Sequence, residues 1–175
     1  MTEKKLKGKS IHLMKADVTD VEADALVFYA TESLALGSGY GTAISVRGGP
    51  SVQEECKKLA PVRVGEAVVT GAGQMKAKFI IHAVGPKFQE EGEEAKLRQT
   101  VASALRRAEE KGIKKLAIPP LGTGFYGIPV ETCAKVMVQT IREHLMNGNS
   151  GLEEVIICAR DTREVKPFSK QIEAL

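Results

Sequence analysis

Two glycine clusters are the stretches of this sequence best suited to bind an anion. One is Gly-Thr-Gly-Phe-Tyr-Gly at residues 122–127, after a short apolar run that ends in two prolines, and the other is Gly-Ser-Gly-Tyr-Gly at residues 37–41. A segment with a helical pattern follows each cluster. Backbone N–H groups at the start of a helix lack intrahelical partners and attract anions, and glycine lets a ligand approach the backbone closely. Two such loops predict a diphosphate held from both sides.

Standard nucleotide motifs do not account for these loops. The spacing of Gly122, Gly124 and Gly127 matches G-x-G-x-x-G, but in a dinucleotide fold that pattern closes the first strand, whereas here it follows several candidate strands. A P-loop would place Lys-Ser or Lys-Thr after the last glycine, where this chain has Ile128 and Pro129. The alternative to a phosphate site is that both clusters are ordinary turns.

The alternation of strand and helix patterns predicts an α/β fold with a mixed, mostly parallel sheet between helical layers. Ligands in such sheets bind beyond the carboxyl ends of the strands, which places Asp17, residues 28–31 and the loop at Gly122 at one rim. A helix after residue 51 is expected to have Ser51 as its cap and Glu54 in a capping box. Strands are predicted at residues 10–16, 25–28, 67–70, 79–84, 116–119 and 155–159, and helices at 42–47, 52–59, about 97–108, 130–145 and near the C-terminus.

The composition is that of one globular domain. The chain has 175 residues, and its 25 basic and 22 acidic side chains are well mixed, which argues against a protein dedicated to duplex nucleic acid. The one basic cluster, at residues 4–9, is interpreted as a solvated end. No uncharged apolar run approaches the length of a membrane span, so no membrane partner is expected. Three cysteines leave one over in any disulfide scheme, which favours a reducing compartment and a cytoplasmic location.

Isolated reactive side chains are interpreted as structural. His82 lies inside a strong strand pattern, and Cys56 and Cys133 fall within helical patterns as small buried hydrophobic residues. Cys158 is a candidate for the wall of the ligand site. No pair of His, Cys or carboxylate residues has metal-ligand spacing, so neither a metal nor a cofactor is expected.

Ordered blocks along the chain resemble a macrodomain. They are Ala-Asp-Val-Thr at residues 16–19, the glycine loop at 37–41, Gly-Glu-Ala-Val-Val-Thr at 65–70, Ile-His-Ala-Val-Gly-Pro at 81–86, and the glycine loop at 122–127. They follow the order and spacing of that family and cover about residues 10–165. The resemblance implies that residues 1–175 form a single macrodomain, a three-layer α/β/α sandwich that binds ADP-ribose.

The resemblance also implies roles for individual residues. Asp17 would accept a hydrogen bond from the adenine amino group, and the two loops would wrap the diphosphate and the distal ribose. Tyr126 would stack along the distal ribose or pack on its own loop. The aromatic residue that some members stack on adenine at the end of the last strand is missing here. Arg160 in that region is expected to stack through its guanidinium plane instead, with a plain surface arginine as the alternative. The implied ligand-binding set is Asp17, Val18, Gly37, Ser38, Gly39, Tyr40, Gly41, Gly122, Thr123, Gly124, Phe125, Tyr126 and Arg160.

Departures from the family pattern concern activity more than fold. Where the family usually has Asn-Ala-Ala-Asn, this chain has Phe-Tyr-Ala-Thr at residues 28–31, so Thr31 stands at the position of an Asn that contacts the distal ribose in hydrolytic members. Thr31 keeps a hydroxyl but lacks the paired donor and acceptor of an amide. Gly41 stands where some active members have an Asp. Tyr40 replaces a small apolar residue and is expected to narrow the phosphate cleft.

Three functions follow from this resemblance. The first is a binding module for ADP-ribose or an ADP-ribosylated protein, acting as a monomer. The second is a hydrolase of ADP-ribose esters, either an O-acetyl-ADP-ribose deacetylase or a mono-ADP-ribosylhydrolase, in which Thr31 would help to position water. No general base of tuned pKa is visible, so that activity is expected to be slow or absent. RNA binding in the same cleft is the third and weakest function, because the charge is nearly balanced.

Overall fold

The computed structural model describes residues 2–37, 40–124 and 126–175. Its elements alternate as the sequence pattern predicts, and the α/β sandwich with a mixed central sheet is confirmed. The strands are β1 (Glu3–Leu6), β2 (Lys9–Lys15), β3 (Ala25–Ala30), β4 (Ala67–Gly71), β5 (Phe79–Val84), β6 (Lys115–Ile118) and β7 (Glu154–Ala159). The helices are α1 (Tyr40–Gly48), α2 (Pro50–Leu59), α3 (Glu93–Glu110), α4 (Val130–Met146) and α5 (Thr162–Glu173).

The seven strands form one sheet in the order β1-β2-β7-β6-β3-β5-β4. The five strands from β2 to β5 are parallel, and the two outer strands β1 and β4 pair antiparallel with their neighbours. All five parallel strands therefore end at the same edge of the sheet. The loops that follow them lie along that edge in the spatial order of the strands.

Alternating side chains of β3 separate the two faces of the sheet. Ala25, Val27 and Tyr29 belong to the core formed with α3, α4 and α5. Leu26 and Phe28 belong to the core formed with α1 and α2. Because both faces are covered, every residue of β3 is buried, as expected of a central parallel strand. The three layers are thus two helices, the sheet and three helices.

One local prediction was wrong. The helix expected to begin at Val52, with Ser51 as its cap, begins at Pro50, with Gly49 at the N-cap and no side-chain cap. The fixed φ of proline suits the first helical position, so the helix starts two residues earlier and Ser51 lies within its first turn. The sequence pattern did not predict the edge strand Glu3–Leu6, which pairs with β2, and the residues of the basic cluster at 4–9 are exposed or half-buried.

All three cysteines are buried and form no disulfide, which was expected of Cys56 and Cys133. Cys158, a candidate for the wall of the ligand site, is instead a fully buried core residue. His82 is also a core residue. Its Nε2 lies 2.9 Å from Thr70 Oγ1, and its ring makes an edge contact with Phe28 at a centroid distance of 6.1 Å. Burial lowers the pKa of His82 to about 4.

The buried His82 predicts a loss of stability in mild acid. The unfolded chain takes up a proton at the ordinary histidine pKa of about 6.5, whereas the folded chain does so only near pH 4. The contribution of His82 to the free energy of unfolding is therefore fully present above pH 6.5 and is lost as the pH falls from 6.5 to 4. The free energy of unfolding should decrease by about 2 kcal/mol between pH 7 and pH 5. Urea unfolding at several pH values measures this decrease.

A His82→Phe variant separates this histidine from other titrating groups. Its free energy of unfolding should change less between pH 7 and pH 5 than that of the parent. His12→Gln is the matched control, because the His12 side chain is partly exposed on β2. An unchanged slope in His82→Phe would show that another group causes the acid sensitivity.

Candidate functional site

A cavity of about 1000 Å³ lies at the carboxyl edge of the sheet. Loops that follow β3, β6 and β7 form its walls, so both glycine clusters reach the same space. This is the edge at which the sequence places a ligand. The lining residues are Phe28, Tyr29, Thr31, Ser33, Ala35, Gly37, Tyr40, Pro119, Pro120, Gly122, Thr123, Gly124, Tyr126, Val130, Arg160, Asp161, Arg163 and Glu164.

The loop after β6 offers free backbone donors to this cavity. The N–H groups of Gly122, Thr123 and Gly124 donate no hydrogen bond to any described residue. The loop keeps its shape through its carbonyl groups, because the Ile128 N–H donates to the Gly122 oxygen at 2.9 Å and the Gly127 N–H to the Gly124 oxygen at 3.0 Å. Unpaired N–H groups beside a cavity are the arrangement that binds an anion.

Gly122 is required by both conformation and space. Its φ is +80°, and a Cβ at this position would lie 2.6 Å from Ile128 Cδ1. Gly124 differs, since a Cβ there meets nothing within 4 Å. Gly122 therefore fixes the turn, and Gly124, which has no side chain, leaves the adjoining space in the cavity open.

The first glycine cluster leads into α1. Gly37 and Tyr40 line the cavity, and α1 begins at Tyr40. The first N–H groups of this helix have no intrahelical partner, and the helix dipole favours negative charge at this end. Gly41 is buried against Leu36 and Phe28 rather than lining the cavity. Ser38, Gly39 and Phe125, three of the predicted ligand-binding residues, lie outside the described residues.

Tyr40 and Arg160 form a stacked pair at one end of the cavity. The Arg160 guanidinium carbon lies 5.2 Å from the centroid of the Tyr40 ring. The Tyr40 hydroxyl is buried and has no hydrogen-bond partner among the described residues. Burial, and then the neighbouring Asp17 carboxylate, raise the pKa of Tyr40 to about 12. Tyr40 thus lines the cavity at the Arg160 end.

The unpaired hydroxyl predicts that Tyr40→Phe stabilises the protein. A buried polar group without a partner costs about 1–3 kcal/mol, so its removal should raise the free energy of unfolding by about 1 kcal/mol. Chemical denaturation of both proteins measures the difference. Tyr29→Phe is the contrasting control, because the Tyr29 hydroxyl donates to the Pro86 carbonyl and its loss should destabilise the protein. A destabilised Tyr40→Phe would show that the hydroxyl has a partner in solution.

Asp17 and Val18 lie beside the cavity but do not line it. Val18 is buried in the core. Asp17 Oδ1 accepts hydrogen bonds from Thr19 N at 2.8 Å and from Thr19 Oγ1 at 2.6 Å. Oδ2 accepts none within the described part of the chain. Asp17 is half-buried and therefore has one free acceptor oxygen next to Tyr40.

The Glu164 carboxylate connects two loops at the Arg160 end of the cavity. Glu164 was not identified as a site residue from the sequence. Its Oε1 accepts from Arg160 N at 2.7 Å, and its Oε2 accepts from Thr123 Oγ1 at 3.1 Å. One carboxylate thereby joins the loop after β7 to the loop after β6. The signal was present, because Asp161 caps α5 and the spacing D-x-x-E places Glu164 at N3.

The other end of the cavity contains hydroxyl groups and aromatic rings. Tyr29 and Tyr126 make an edge contact at a centroid distance of 5.0 Å. Thr31 Oγ1 lies 3.1 Å from Ser33 Oγ. Burial raises the pKa of Tyr29, which keeps this hydroxyl neutral. These groups suit hydrogen bonding to a sugar, with Tyr126 placed to cover it.

The cavity contains few groups that could act as a general base. Its carboxylates among the described residues are Asp161 and Glu164, which lie with Arg160 at the end away from Thr31 and are engaged in hydrogen bonds. No group of three His, Cys, Asp or Glu residues in the described ranges could hold a metal ion. The arrangement favours binding of an anionic ligand over acid–base chemistry.

Known proteins resemble this chain in sequence and in structure. The family model for the Macro domain matches residues 29–137. Uncharacterized protein SSO2899 of Saccharolobus solfataricus is 41% identical over 86% of this chain and 85% of its own length. O-acetyl-ADP-ribose deacetylase 1 of Pantoea vagans is 36% identical over 93% of this chain and 98% of its own length. The crystal structure of a Trypanosoma brucei macrodomain in complex with ADP-ribose superposes with a TM-score of 0.86 at 27% identity, over 91% of this chain and 68% of that one.

Proposed function

Because the chain belongs to the macrodomain family, we propose that it binds ADP-ribose, free or attached to a protein, in the cavity at the carboxyl edge of the sheet. The observation that carries this proposal is the pair of glycine loops on one cavity. The diphosphate would lie between the free N–H groups of the loop after β6 and the start of α1. A similar protein that was solved with ADP-ribose supports the same ligand here.

We propose that the two ends of the cavity hold the two halves of the ligand. Adenine would lie at the Tyr40 and Arg160 end, with its amino group donating to Asp17 Oδ2 and its ring stacked on the Arg160 guanidinium. The distal ribose would lie at the other end, with hydrogen bonds to Thr31 and Ser33 and with Tyr126 across its face. Gly37, Gly122, Thr123 and Gly124 would contact the diphosphate between them.

Isothermal titration tests the proposal. ADP-ribose should bind measurably, and ADP should bind more weakly because it lacks the distal ribose. A single-stranded RNA oligonucleotide should not compete, because the charge of the chain is nearly balanced, with 25 basic against 22 acidic residues. Competition by the oligonucleotide at a concentration similar to that of ADP-ribose would favour RNA as the ligand.

Hydrolysis of an ADP-ribose ester is the second candidate function. The name of one relative, O-acetyl-ADP-ribose deacetylase 1, favours it. The main cavity supplies Thr31 to position water, but the carboxylates among its described lining residues, Asp161 and Glu164, lie at the other end, so turnover should be slow. Incubation with O-acetyl-ADP-ribose tests this, with Thr31→Ala as the variant. Fast turnover that Thr31→Ala abolishes would replace binding as the main function.

The cellular compartment and the oligomeric state of the protein are also proposed. None of the described helices is long and apolar enough to cross a membrane. Three buried, unpaired cysteines support a reducing compartment such as the cytoplasm. We propose a monomer, which size-exclusion chromatography with light scattering would test directly.

A further inference from the structure

A second, smaller cavity of about 270 Å³ adjoins the first. Thr31, Ser33 and Tyr126 line both cavities, so the two are continuous at the sugar end. The function proposed above does not use this space.

The position of the second cavity follows from the order of the strands. Along the carboxyl edge, Asp17 follows β2, Arg160 follows β7, the Gly122 loop follows β6, Thr31 follows β3 and Gly85 follows β5. If the proposed function holds, adenine, diphosphate and distal ribose occupy the stretch from β2 to β3. The second cavity then begins where the distal ribose ends, and it receives whatever is attached to that ribose.

Hydrogen bonds between the surrounding segments fix the second cavity. Its floor is formed by Ala30 and Val84, which are paired in register on β3 and β5 and are each 1% exposed. One wall is held because the Val62 N–H donates to the Glu32 oxygen at 2.9 Å. The opposite wall is held because the Phe88 N–H donates to the Tyr126 oxygen at 2.9 Å. The walls of the second cavity are therefore held in place by backbone hydrogen bonds.

The lining of the cavity is apolar inside and charged only at its mouth. Ala30, Val84 and the partly buried Val64 form its inner surface. Glu32 and Lys87 are exposed at the rim, and Glu90 is paired with Lys96 Nζ at 3.0 Å. The charged side chains lie at the exposed rim, so the apolar floor itself suits an uncharged hydrocarbon chain.

We propose that the second cavity binds the acyl chain of an ADP-ribose ester, and that it prefers chains longer than acetyl. The cavity is smaller than a typical pocket for a drug-sized ligand, which has about 300–1,000 Å³, so a short aliphatic chain is the fitting size. Thr31 and Ser33 stand at the junction, where the ester oxygen of the distal ribose meets the acyl group. The proposal rests on the proposed function, since it requires the distal ribose at Thr31.

Binding of acyl analogues of different length tests the proposal. The probes are ADP-ribose and three derivatives in which an amide replaces the ester on the distal ribose, carrying acetyl, butanoyl or hexanoyl groups. The amide prevents turnover, so titration measures binding alone. Each buried methylene should improve affinity about fourfold, so the butanoyl amide, with two more methylenes, should bind about 15-fold tighter than the acetyl amide. The gain should stop before hexanoyl, once the chain covers the apolar surface of Ala30, Val64 and Val84.

Two substitutions of Val64 make the test specific to this cavity. Val64→Phe should remove the gain from chain length and leave ADP-ribose binding unchanged. Val64→Ala, which enlarges the same space, should move the best chain toward hexanoyl, and it keeps the test decisive if Val64→Phe folds poorly. An equal loss of ADP-ribose and of the butanoyl amide in Val64→Phe, with no shift in Val64→Ala, would overturn the proposal.

The controls separate this proposal from the one on which it rests. If ADP-ribose itself does not bind, the proposed function fails. If ADP-ribose binds and the acyl series is flat, only the acyl site fails. A flat acyl series together with tighter binding of an ADP-ribosylated peptide would assign the cavity to a protein side chain and would overturn the acyl proposal.

Discussion

A Gly124→Val variant is expected to bind ADP-ribose at least about 100-fold more weakly than the parent, a loss of roughly 2.7 kcal/mol, while its stability stays nearly unchanged. Gly124 lines the main cavity, and a Cβ at this position meets nothing within 4 Å. The backbone at Gly124 is not in the left-handed region, so a side chain is tolerated. The isopropyl group would then fill the space that the diphosphate requires. Titration calorimetry and thermal unfolding measure the two quantities.

Two other glycines provide the comparison for this variant. Gly122→Val should unfold at a lower temperature, because Gly122 has a φ of +80° and its Cβ would overlap the Ile128 side chain. Gly151→Ala should change neither quantity, because Gly151 lies away from the cavity beside Glu109. If Gly124→Val binds ADP-ribose as well as the parent, the diphosphate does not lie on the loop after β6.

The sequence indicates the architecture because its signals are local. Apolar runs such as those of β3 and β5 are continuous because the strands are covered on both faces, and this distinguishes them from the helical stripe of α4. The edge strand β1 was missed because Glu3–Leu6 is mostly charged and its partner is set by tertiary pairing. A short charged segment at the edge of a sheet has no such local signal.

The parts of the candidate site that could be predicted from the sequence are the two glycine loops, because their function depends on the backbone. Glycine spacing identified both loops, since a turn and a close approach of ligand require that residue. Glu164 was missed because its role depends on a contact with Thr123, 41 positions earlier in the chain. The second cavity depends on the pairing of β3 with β5, and sequence order does not reveal which strands are neighbours. Spatial order decides which loops meet, and hence what the cleft can hold.

Recognition of adenine depends on one unpaired carboxylate oxygen, Asp17 Oδ2. An Asp17→Asn variant should therefore prefer hypoxanthine, whereas the parent prefers adenine. Asn can keep an oxygen toward Thr19, so the turn that Asp17 stabilises should persist. The other atom changes from an acceptor to an NH₂ donor. A lost hydrogen bond to a charged group costs about 1.5–3 kcal/mol, so ADP-ribose should bind about 10- to 100-fold more weakly. The hypoxanthine analogue of ADP-ribose, which has a carbonyl in place of the amino group, should bind more tightly to the variant than to the parent.

This reversal distinguishes recognition of the base from general damage to the cleft. Ribose 5-phosphate lacks a base, so its affinity should be the same in the parent and in Asp17→Asn. Asp20→Asn is the matched control, because Asp20 is an exposed carboxylate three residues away that pairs with Arg47. An equal loss for ADP-ribose, its hypoxanthine analogue and ribose 5-phosphate would mean that Asp17 acts through the structure of the turn. Equal binding of both bases by the parent would mean that Asp17 does not contact the amino group and that Arg160 alone holds the purine.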